Sequence, residues 1–134
     1  MPSLGATRGL LQIGDVAERT GLSLRTVRHY EEVGLLPQAE RSAGGFRLYT
    51  GDAVERLLVI KQIKPLGFTL EQMRDVLDVL DGLADSAVPP ARRRALLGAL
   101  ADHRRAVATA VDELQARLEA GRAFERALAL HLAP

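Results

Sequence analysis

Apolar residues recur at helical spacing through most of this chain and alternate with polar ones in one short stretch. A first helix is expected from about Ile13 to Thr20, with Val16 and Ala17 turned inward and Gly21 as its stop. Ser23 reads as the N-cap of a second helix, about Leu24 to Val33, closed by Gly34. Leu24 and Val27 are expected to face the core, and Tyr30 fits either the core or the surface. Leu35-Leu36-Pro37 then leaves that helix. From Glu40 to Thr50, Phe46, Leu48 and Thr50 alternate with Arg47 and Tyr49 beyond an Ala43-Gly44-Gly45 turn, the pattern of a small hairpin. A third helix, about Asp52 to Lys64, carries Val54, Leu57, Leu58, Ile60 and Ile63 and ends at Pro65 and Gly67. Thr69 caps a fourth, with Glu71 and Gln72 at its start and Met73, Val76, Leu77 and Leu80 on one face. Gly82 to Pro90 reads as a linker whose Pro89-Pro90 pair suits a helix start. Residues 1–11 read as a loose leader.

The segment from Ala91 to about Ala120 holds no proline and keeps a seven-residue repeat. Leu97, Arg104, Val111 and Leu118 fill one position; Leu100, Val107, Leu114 and Gly121 fill another, three residues on. About thirty helical residues make a rod of roughly 45 Å. A single rod cannot bury its own seam, so a homodimer is expected through Leu97, Leu100, Val107, Val111, Leu114 and Leu118. Arg104 is a flaw in that seam and needs an acid or a path to solvent. The tail from Arg122 to Pro134 is expected to form one more short helix bearing Phe124, Leu128 and Leu132. Two domains follow, 1–82 and 83–134.

Composition narrows the classes. A chain of 134 residues with 47% hydrophobic residues can pack a core, and its 4% aromatics favour helix over sheet. There is no cysteine, which excludes disulfides and thiolate metal sites. No apolar run approaches the roughly 18 residues of a membrane span, and the N-terminus lacks a signal-peptide core, so a cytoplasmic protein without membrane contact is expected. Net charge is only +1, and residues 1–82 hold ten basic against eleven acidic side chains. Global charge therefore makes no case for nucleic acid, and any such case must rest on where arginine and lysine are placed.

Placement does point that way. Arg25, Thr26, Arg28 and His29 present a polar, cationic side of the second helix, and Arg can bond guanine edges in a major groove. A solvated charged face explains that helix as well. The hairpin adds Arg41 and Arg47 about a Gly-Gly turn with Tyr49 beyond, and such groups are common phosphate ligands. Phe46 is expected to pack against the third helix instead, while Tyr49 fits packing and phosphate contact alike.

The stretches IGDVAERTGLSLRTVRHYEEVGLL, RSAGGFRLY and IKQIKPLGFTLEQMRDVL together resemble the N-terminal domain of the MerR family of transcription regulators, over residues 13–80. The resemblance implies a mainly α fold, a winged helix-turn-helix followed by a long antiparallel coiled-coil dimerisation helix. It matches Arg28 to the arginine of the recognition-helix motif and Tyr30 to its second aromatic. His29 stands where the family often has tyrosine. Arg47 and Tyr49 match the wing's phosphate-contacting pair, and Lys61 or Lys64 lies near the helix-end contacts to the backbone. The implied action is a dimer on promoter DNA with an overlong spacer, which it bends and untwists so that RNA polymerase engages both elements.

Metal and redox members of that family use cysteines beside the dimer helix, and this chain has none. His29, His103 and His131 show no ligand spacing, so no metal or cofactor is expected. Multidrug-sensing members carry a large ligand domain, for which the residues after Gly121 are too few. A small organic effector between rod and tail, against Phe124, Leu128 and Leu132, stands beside the simpler expectation that these residues cap the dimer. An architectural or recombination accessory protein that bends DNA is the alternative function. Nothing in the chain reads as a catalytic constellation, so no enzyme is expected.

Overall fold

The computed structural model describes residues 10–134, so most of the expected leader lies outside the described residues. Leu11 itself belongs to structure: β1 (Leu11–Gln12) pairs antiparallel with the strand of the hairpin, Leu11 opposite Tyr49. The chain divides into a unit ending at Asp78 and a unit from Val79 to Pro134.

The first unit holds the helix-turn-helix. α1 (Ile13–Thr20) starts where the Gln12 amide donates to the Asp15 carboxylate and ends at Gly21, whose φ of 71° only glycine adopts at little cost. α2 (Leu24–Glu32) begins under the Ser23 hydroxyl, which accepts the Thr26 amide at 3.1 Å. Between them the buried Thr20 hydroxyl donates to the Val16 carbonyl at 2.8 Å and leaves no polar group stranded in the turn. Val27 faces inward as its spacing predicts, and Tyr30, for which the sequence leaves both sides open, is buried beside it. Leu24, one turn earlier on the same side, is 42% exposed, because it sits at the open start of the helix.

The wing is β2 (Glu40–Arg41) and β3 (Arg47–Tyr49), with sheet order β1-β3-β2. α3 (Gly51–Ile63) follows, capped by Thr50, then a 3-10 turn over Lys64–Leu66. α4 (Leu70–Ala84) starts in a capping box: Thr69 accepts the Gln72 amide, and the Gln72 side chain accepts the Thr69 amide. It extends past Gly82, where the sequence predicts a linker; glycine in a helix interior is tolerated at about 1 kcal/mol. Val16, Val27, Tyr30, Leu35, Leu57, Ile60, Met73 and Leu77 close one core among these elements. Each such aliphatic side chain contributes about 1.5–3 kcal/mol by burial.

In the second unit, α5 (Pro90–Leu132) is one unbroken helix of 43 residues, about 65 Å long. The separate tail helix expected after Gly121 is not present: Gly121 lies within α5, and Phe124, Leu128 and Leu132 continue the same rod. Leu96 is buried near Gly82, whereas Leu97, Val111 and Leu118 of the expected seam are about half exposed. Leu100, Val107 and Leu114 are half-buried, and Arg104 is exposed. Among the described residues, no helix is long and apolar enough to cross a membrane.

Candidate nucleic-acid interface

α2 turns its apolar side to Val16 and Leu57 and so leaves Arg25, Arg28 and His29 outward, at spacings of three and four. With Glu32 they line a shallow depression of about 320 Å³. Glu32 is an acid that sequence reasoning passed over, and it tempers this cationic face. The Thr26 hydroxyl is engaged by Ser23 at 2.9 Å, so this side chain serves the start of the helix.

The wing is braced from within. The Ser42 amide donates to the Phe46 carbonyl at 2.9 Å and the Phe46 amide to the Ser42 hydroxyl at 3.1 Å. Arg41 donates to the Gly45 carbonyl at 3.0 Å across the turn. Arg41 is nonetheless exposed and can offer its remaining donors to a phosphate.

Of the two aromatic positions of the wing, the structure overturns the expectation for Phe46 and decides the open one for Tyr49. Phe46, expected to pack, is 62% exposed, with its ring over Gly44. Tyr49 is 2% exposed and donates its hydroxyl to Glu31 at 2.9 Å. The cause is pairing: β1 covers β3 with Leu11 opposite Tyr49, which draws Tyr49 inward, while Phe46 stands at the turn beyond the paired strands. A phosphate ligand at Tyr49 is therefore corrected to a core residue. Tyr30 is likewise a core residue, 3% exposed. Lys64 lies 5.8 Å above the Tyr30 ring centroid, and His29 tilts 5.6 Å from it. Lys61, exposed on α3, donates to the Thr20 carbonyl at 2.9 Å.

Glu31 was not singled out by the sequence, yet it organises the junction. It takes the Ala39 amide at 2.7 Å, the Tyr49 hydroxyl and, at 3.4 Å, the Arg47 guanidinium. A signal existed: an acid in the last helical turn opposes the helix dipole and needs a reason to be there. Burial, the bond to Glu31 and its charge push the Tyr49 phenol up to about 12, while the charges of Arg47 and Arg28 pull it down. Helix α2 and wing therefore meet at Glu31, which binds both Tyr49 and Arg47 of β3.

The family model described as MerR HTH family regulatory protein matches residues 11–80. The chain belongs to this family. Among MerR-type relatives, the mercuric resistance operon regulatory protein of Bacillus cereus is 41% identical over 70 residues, covering 52% of this chain and 53% of that protein. A MerR family transcriptional regulator from Bacillus thuringiensis superposes with a TM-score of 0.66 at 20% identity, covering 90% of this chain and 98% of the other. HiNmlR, described as a MerR family regulator lacking the sensor domain and bound to promoter DNA, superposes at 0.58 with 22% identity, covering 83% and 80%. These two likenesses are of fold. The chain spans about half or less of the length of the curated relatives it matches. Among the described residues no three His, Asp or Glu side chains are grouped as metal ligands.

Proposed function

We propose that this MerR-family chain is a sequence-specific DNA-binding transcription regulator that acts as a homodimer. The observation that carries the reading is the junction of helix and wing at Glu31: this α2 residue takes the Tyr49 hydroxyl at 2.9 Å and stands 3.4 Å from Arg47, beside a helix that leaves Arg25, Arg28 and His29 outward. Arg25, Arg28 and His29 would face base edges in the major groove, and Arg41 and Arg47 the phosphates. Lys61 and Lys64 would reach the backbone near the centre of the site. Tyr30 and Tyr49 support these groups from the core, and Thr26 from the helix start.

The division of labour is 1–82 for DNA and 83–134 for dimerisation. The exposed seam of α5 supports a two-fold pair, which places two recognition helices on a symmetric operator. Distortion of promoter spacer DNA, an indirect action on RNA polymerase and a cytoplasmic location complete the reading, with no catalysis. A small organic effector would act by favouring one dimer geometry over another.

The purified chain should bind a fragment selected from genomic DNA with affinity that falls linearly as salt rises on logarithmic axes. Transcription from a promoter carrying that fragment should depend on spacer length. Binding without any dependence of transcription on spacer length would favour the architectural alternative. Absence of a salt-dependent shift on any duplex would refute the reading.

A further inference from the structure

We propose that Glu31 is a positioning residue that fixes the wing's Arg47 against the recognition helix, so that helix and wing meet a duplex in one fixed register. The inference rests on the DNA-binding reading above.

The Glu31 side chain is 8% exposed, and its oxygens are occupied from two directions. Oε2 takes the Ala39 amide from the segment between α2 and the wing, and Oε1 takes the Tyr49 hydroxyl from β3. Arg47 Nε stands 3.4 Å from the same Oε1. A buried carboxylate at the negative end of a helix is unfavourable unless paired and hydrogen-bonded, and here it is both. The one side chain therefore ties α2 to the segment before the wing and to both Arg47 and Tyr49 of β3.

The chemistry of arginine makes this tie useful. A guanidinium presents donors along two edges in a rigid fork. With Nε turned to Glu31, the Nη end belongs to a side chain still 29% exposed and can meet a phosphate while its direction is set by the carboxylate. A lysine in that place would carry the charge but not the second edge. Glu31 thus trades a negative charge close to the DNA-facing side for a fixed angle between the two readers.

The test compares a duplex selected by the wild-type chain with a scrambled duplex of the same length. Glu31→Gln keeps acceptor capacity for the Ala39 amide and removes the carboxylate charge that faces Arg47. Affinity for the selected duplex should fall about tenfold while affinity for the scrambled one holds or rises. The salt slope should be retained, because Arg47 is still present to neutralise a phosphate. In an Arg47→Ala background, Glu31→Gln should change selected-duplex affinity less than about twofold, since the two residues act through one contact. Arg47→Lys lies at the surface and is expected to fold whatever Glu31→Gln does; it should reproduce the lost discrimination with the slope kept. Additive effects of Glu31→Gln and Arg47→Ala, or wild-type discrimination by Arg47→Lys, would overturn the inference and leave the DNA-binding reading standing. A wild-type chain that binds neither duplex would overturn both.

Discussion

Lys61 closes the end of α1: its ammonium donates to the Thr20 carbonyl at 2.9 Å across 41 residues of sequence. Arg74 does the same for α2, donating to the Val33 carbonyl at 2.6 Å, also across 41 residues. Each helix of the helix-turn-helix thus ends on a cation from a later helix. The free carbonyls and the negative dipole end both favour this arrangement.

The Lys61 contact sharpens an expectation at Gly21. Its φ of 71° is strained for any other residue, and a Cβ there would lie 2.9 Å from Lys61 Nζ. The ammonium is the far end of a flexible chain and can give way, so backbone strain dominates. Gly21→Ala should destabilise the first unit by about 1–2 kcal/mol. Gly45→Ala shares the strain, at φ 84°, with nothing within 4 Å, and should impair the wing alone. Denaturant melts of both variants check the contrast; equal DNA-binding defects with equal stability loss would contradict it.

Tyr49 gives the fold a dependence on alkaline pH. Its phenol is pushed up to about 12 from the ordinary 10.0. Above pH 10 the unfolded chain releases this proton while the folded chain holds it. The stabilisation is therefore complete below pH 10 and is lost as pH rises toward 12. Tyr49→Phe should flatten the stability profile over that window, read by urea denaturation at stepped pH. A slope unchanged by the substitution would show that another group titrates there.

The helices were legible because their signals are local. Ser23, Gly21, Thr69 and the apolar spacings of α3 mark their elements without reference to the rest of the chain. What escaped is set by pairing between distant segments. β1 is too short to show alternation, and without it nothing says whether Phe46 or Tyr49 turns inward. The role of Glu31 escaped for the same reason, since its partners at Ala39, Arg47 and Tyr49 are joined to it only by the fold. Arg25, Arg28 and His29 were readable because a helix face follows from period alone. Gly82 and Gly121 misled because glycine suggests a break, whereas both sit inside helices.

Gly82 has a packing reason. A Cβ built on it would stand 2.7 Å from Leu96 Cδ1, and Leu96 is buried at 3% exposure. Alanine would improve helix propensity by about 1 kcal/mol, but overpacking costs about 1–3 kcal/mol. Gly82→Ala should therefore be neutral to destabilising. Combined with Leu96→Val it should be more stable than the sum of the two single changes, as a shared contact requires. Strict additivity in thermal melts would show that Leu96 does not limit residue 82.

The seam of α5 yields the test of assembly. Val111 is 45% exposed in the chain alone, and Leu97 and Leu118 are similarly open. Aspartate at Val111 should hardly disturb the fold of one chain, since little of its burial is internal. Across a homodimer the same change would place a carboxylate in an apolar seam, where an unpaired charge is strongly disfavoured. Val111→Asp should weaken dimerisation at least about a hundredfold, read by sedimentation, and abolish tight operator binding with it. The tail offers the counterpart, because α5 carries Phe124 and Leu128 on the same unbroken helix. If these residues cap the dimer, Phe124→Ala will weaken association and operator binding together. If they line an effector site instead, Phe124→Ala will leave the dimer and basal binding intact and alter only the response to an inducer. A wild-type chain that sediments as a monomer at micromolar concentration would remove the dimer from the proposal altogether.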